Sequence, residues 1–112
     1  MLIVNNRAND MINKLHNVKT SLVLDKSEVM VVHITLEAGE QLRPHITPVE
    51  VFFYILEGEC TVQVGDEKRK VSKDNLVESP ANIVHCLYNE TDEPVRVLVV
   101  KTPKPTTSSK ML

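Results

Sequence analysis

No run of apolar residues in this chain approaches the roughly 20 that a membrane-spanning helix needs. The longest, Val51 to Leu56 and Val97 to Val100, are a fraction of that. No charge sign dominates. There are 13 basic and 15 acidic residues, spread along the chain, for a formal charge of -2. With no basic stripe and no acidic tail, partners chosen by gross charge, nucleic acid above all, are not expected. The start, MLIVNNRAND, has no basic region leading an apolar core, so it does not read as a secretory signal. There are two cysteines, Cys60 and Cys86. That is too few for a disulfide framework and fits reduced thiols in the cytoplasm. Tryptophan is absent, and there are three alanines against 17 valines. So little alanine beside so many β-branched residues excludes a helical bundle and favours strands.

The 112 residues suit one domain with its own core. Residues 1–19 read as an arm, irregular or helical, because Ala8, Met11, Ile12 and Leu15 have helical spacing. From Thr20 the period changes to two. Strands are expected over Ser21–Leu24, Glu28–Leu36, Val49–Glu57, Cys60–Val64, Lys68–Val71, Leu76–Glu78, Ile83–Asn89 and Val95–Lys101. An extended stretch begins at Arg43-Pro44-His45, since the residue before proline avoids the helical region. Eight or more short strands, evenly punctuated, imply a closed or sandwiched antiparallel sheet over residues 20–102. Residues 103–112 form a polar, proline-bearing tail, expected to be extended or flexible.

Two spaced motifs stand out. The first runs Gly39-x5-His45, then Thr47, Glu50 and the strand VFFYILEG ending at Gly58. The second is Pro80-x-Asn82-x2-His85-x3-Asn89. On a strand, residues of equal parity share a face. His45, Thr47, Val51 and Phe53 would then point one way, and His85, Leu87 and Asn89 another common way. Either the two histidines are hydrogen-bonded core residues, or they aim imidazoles into one pocket. Two imidazoles supply half of a tetrahedral or octahedral site. Glu50 is out of phase on a regular strand. A bulge near Pro48 would reverse the parity and bring it inward as a third ligand; otherwise it is a surface carboxylate. His33 lies opposite an apolar face and is expected at the surface or at a subunit contact. His16 is expected in solvent. Cys60 and Cys86 read as small buried hydrophobes.

Over roughly Met30 to Lys101, these motifs resemble the two signatures of the cupin superfamily. The resemblance implies an all-β double-stranded β-helix, or jelly-roll barrel. In the family pattern the first motif carries two histidines and a glutamate. Here the second histidine falls at Thr47 and the glutamate at Val51. In the second motif, Asn82 stands for a glycine, and asparagine tolerates the left-handed backbone such a turn requires. The resemblance implies a pocket for a small polar molecule, a divalent metal (Fe, Mn, Zn, Ni or Cu), or both. His45, His85 and Glu50 are the candidate ligands, and Thr47, Val51, Phe53 and Leu87 the lining. A metal-dependent isomerase, dioxygenase or lyase is one outcome. A non-catalytic small-molecule-binding or sensing module with a degenerate metal site is the alternative. Phe52, Tyr54 and Leu56 make an apolar outer stripe that must be covered. Because cupins commonly dimerise through a sheet face, a homodimer through Phe52 and Tyr54 is expected.

Overall fold

The computed structural model describes residues 1–6, 11–13 and 17–112. Among them every regular element is a strand: β1 (Met11–Asn13), β2 (Val18–Asp25), β3 (Met30–Leu36), β4 (Gln41–Ile46), β5 (Glu50–Glu57), β6 (Glu59–Val64), β7 (Glu67–Ser72), β8 (Leu76–Ser79), β9 (Val84–Tyr88), β10 (Val95–Thr102) and β11 (Lys110–Met111). All pair antiparallel. One sheet runs β1-β2-β3-β10-β5-β8, and the other runs β11-β4-β9-β6-β7. The chain passes repeatedly between the two sheets after β3, which is the winding of a double-stranded β-helix.

β-Branched residues in period two explain most of this. In β5 the odd residues Val51, Phe53 and Ile55 are buried, while Phe52, Tyr54 and Leu56 are half-exposed. Leu36, Phe53, Ile55 and Val97 from one sheet meet Leu42, Val62 and Leu87 from the other in a single core. Each fully buried side chain of this size stabilises the fold by about 1.5–3 kcal/mol.

Turns are set by backbone chemistry. Gly58 links β5 to β6 at φ 82, and a Cβ there would sit 2.5 Å from the Pro94 carbonyl oxygen. Asn82 has φ 65, the left-handed backbone expected of it.

Three expectations need correction. The helical spacing at Met11 and Ile12 yields strand, not helix, because β1 pairs with β2. Ala8, Leu15 and His16 lie outside the described residues. His33 is not at the surface. It is fully buried, and its Nε2 accepts a 3.0 Å hydrogen bond from Arg96 Nε. Lastly, the bulge in the first motif falls before His45 rather than after it. The β4–β9 register shifts between Leu42 and His45, and this places both an even and an odd residue inward.

The C-terminal residues, expected to be extended or flexible, turn back across the barrel. Lys104 pairs with Asp25 at 2.7 Å, and β11 adds to the edge of β4 with Met111 opposite His45.

Candidate functional site

The two motifs are neighbours in space. β4 pairs with β9, and His45 stands directly opposite His85 in the register. Backbone hydrogen bonds join the motifs at both ends. The Gly39 amide donates to the Asn89 carbonyl at 3.0 Å, and the Asn82 amide donates to the Thr47 carbonyl at 2.9 Å. The Asn89 side chain is a clamp. Its Nδ2 donates to the Leu36 and Glu93 carbonyls, and its Oδ1 accepts from Thr91.

The histidine rings meet edge to face, with centroids 4.4 Å apart. Their partners assign the protons. His45 Nδ1 lies 2.7 Å from the Arg43 carbonyl oxygen. A carbonyl only accepts, so this nitrogen carries the hydrogen and Nε2 keeps its lone pair. The two Nε2 atoms are 3.1 Å apart, so His85 Nε2–H donates to His45. His85 Nδ1 then accepts from the Ser79 hydroxyl at 2.7 Å. The Ser79 hydroxyl is thus the donor that holds His85 in this tautomer. Thr47 Oγ1 lies 3.1 Å from His85 Nε2 and 3.1 Å from Ser109 Oγ, tying the C-terminal segment to the site. Phe53 backs the pair, its ring 5.2 Å from that of His85.

A cavity of about 570 Å³ opens over this pair. Thr47, Val51, His45 and His85 line it, with Val32, Ile34, Leu42 and Val99 as apolar wall. Residues 104–109 form a rim. Phe53 and Leu87, expected in the lining, are fully buried in the core and do not line it. Burial holds the His45 imidazole below its ordinary 6.5; the Arg43 carbonyl opposes this and the Lys101 charge adds to it. Lys101, a lining residue the motifs did not reveal, is itself held below its usual range by burial. Its signal was parity, since Val97 and Val99 precede it on the inward face of β10. Burial is the chief reason the Cys60 thiol is pushed up to about 12, which disfavours its thiolate.

Glu50 does not join the histidines. It is exposed at the start of β5, one position out of phase with inward Val51, because the bulge lies upstream. Among the described residues, no group of three His, Cys, Asp or Glu side chains could hold a metal ion. The test of fit is therefore the donor set. Two imidazoles and a threonine hydroxyl fall short of the three protein ligands a catalytic zinc takes and the four a structural one takes. These residues do not make a metal centre from protein ligands alone.

A cupin domain model matches residues 32–101, which span both motifs. The chain belongs to the cupin superfamily. Metal binding is common among its members. An uncharacterized protein of Methanocaldococcus jannaschii is 31% identical over 91 residues, 78% of each chain. A crystal structure from Thermus thermophilus aligns with a TM-score of 0.81 at 25% identity, covering 94% of this cupin and 100% of that chain. A polyketide cyclase from Streptomyces resistomycificus shares the fold, with a TM-score of 0.85 at 15% identity, covering 100% of this cupin and 85% of that chain. At that identity the likeness concerns the fold alone. No helix among the described residues is long and apolar enough to cross a membrane.

Proposed function

We propose that this cupin is a small-molecule-binding protein, with the His45–His85 pair as the hydrogen-bonding end of its pocket. The observation that carries this reading is the coupled pair itself. Two buried imidazoles with partner-assigned protons face a cavity whose size lies within the roughly 300–1,000 Å³ of small-molecule sites. Apolar walls would take the body of the ligand. His45, His85 and Thr47 would hydrogen-bond its polar group. A task of this kind needs no metal, in keeping with Val51 and Thr47 at the family's ligand positions.

The test is mass and metal together. Protein purified without a histidine tag is examined by native mass spectrometry and elemental analysis. A retained organic molecule lost in His85→Ala, with metal well below one per chain, is the expected result. Metal near one per chain, absent from His45→Ala and His85→Ala, would overturn the metal-independent reading in favour of a metal-dependent enzyme. We also propose a homodimer through the outer face of β5, argued below.

A further inference from the structure

We propose that the ligand of this pocket is a small organic carboxylate, its anionic end held by the Lys101 ammonium. The inference rests on the binding role of the cavity and adds the chemical class of its occupant. Among the described residues that line the cavity, no side chain is acidic, and the two lysines are Lys101 and Lys104. The described lining thus carries basic side chains and no acidic one, in a chain whose formal charge is -2. Lys104 already has a carboxylate, Asp25, at 2.7 Å. Lys101 has no acidic group within ion-pair distance among the described residues. It follows Val97 and Val99 on the inward face of β10 and is half-buried.

A part-buried ammonium without an anion is costly, because desolvation removes water that nothing replaces. A carboxylate in the cavity offsets that cost with a charge-assisted hydrogen bond. The hydroxyls of Thr106, Thr107 and Ser109 on the rim can donate to its second oxygen. The hydrocarbon body then meets Val32, Ile34 and Val99, and any further polar group reaches His45 and His85. A cationic ligand would meet the like charge of Lys101. A neutral one would leave the Lys101 ammonium uncompensated.

Hexanoate and hexan-1-ol, alike in body and different in charge, are the probes. Binding to the full chain is followed by amide NMR shifts at Val51, Val99 and Lys101. Hexanoate should bind about tenfold or more tightly than hexan-1-ol. Lys101→Met should remove that advantage, and Lys101→Arg should keep most of it. A second measurement needs no variant: hexanoate, but not hexan-1-ol, should protect Lys101 from acetylation in the wild-type protein, read by peptide mass mapping. Equal binding of both probes, insensitive to Lys101→Met and without protection, overturns the anchor but leaves the binding role standing. No cavity shifts with either probe would defeat the binding role and this inference with it.

Discussion

Two side chains carry most of what a single residue can show here. Asn82 holds φ 65 and its amide fixes Thr47, so the second motif's turn positions the first motif's hydroxyl. A β-branched residue fits that backbone poorly. Asn82→Val should cost about 1–3 kcal/mol in urea unfolding, while Asn82→Gly stays near wild type. Unchanged stability in Asn82→Val would sink the turn's role. His45 gives a pH prediction. Its folded-state value lies below the 6.5 of the free side chain, chiefly through burial. Below that pH the unfolded chain takes up a proton that the native site resists. The His45 contribution is therefore neutral above about pH 7.5 and destabilising as pH falls through 6.5 toward the lower native value. His45→Gln should show a smaller drop in melting temperature between about pH 7.5 and 5.5 than wild type; an equal drop would refute the assignment. The left-handed Asn82 and the convergence of His45 with His85 were legible in the sequence, because turn chemistry and motif spacing are local. Glu50 was ambiguous because one extra residue reverses a strand's facing, and prolines at 44 and 48 both permit that insertion. Lys101 was overlooked because a lysine ending a strand reads as a solvent edge.

The element that matters most beyond the paired motifs is the C-terminal segment. The principal strands were legible from valine alternation to within a residue or two at most ends. β11 was not, since two residues of a polar tail have no periodicity to read. β1 was misread because a few apolar residues at helical spacing do not fix a helix when a sheet edge is available to pair with them. β11 joins the sheet at His45 itself, and Ser109 reaches Thr47. Residues 104–109 also rim the cavity. The segment therefore helps keep water from His45. Deleting residues 105–112 should leave the far-UV circular dichroism barrel-like and lower the melting temperature by no more than about 8 °C, as for a loss near 1 kcal/mol. The informative change is electrostatic. With the cover gone, desolvation weakens, and the His45 value should rise toward 6.5 in an NMR titration of its ring protons. A value unmoved by the deletion would show that the strands alone dry the site.

At the scale of the whole molecule, the outer face of the larger sheet asks for a cover. β5 lies in that face between β10 and β8. Tyr54 stands in register with Leu98 on one side and Leu76 on the other, and Phe52 follows in the next outward row. Leu76 is 52% exposed. The row is apolar across three strands, with a single polar tether, the Tyr54 hydroxyl donating to Asp74 at 3.0 Å. A two-fold pairing of such faces sets the same patch against itself, so one charge introduced there enters twice. A stable pairing must bury about 1,200–2,000 Å² in total, which requires flanking strands as well as β5. Sedimentation velocity should give a dimer for the wild-type chain and a monomer for Phe52→Asp. The core side of β5, Val51, Phe53 and Ile55, is untouched by that change, so the melting profile of the variant monomer should remain cooperative. A wild-type monomer at high concentration would refute the pairing. A Phe52→Asp dimer would move the contact elsewhere, because two facing aspartates desolvated in such a contact, each beside the Glu78 that stands in register with position 52, cannot all stay ionised without a large cost.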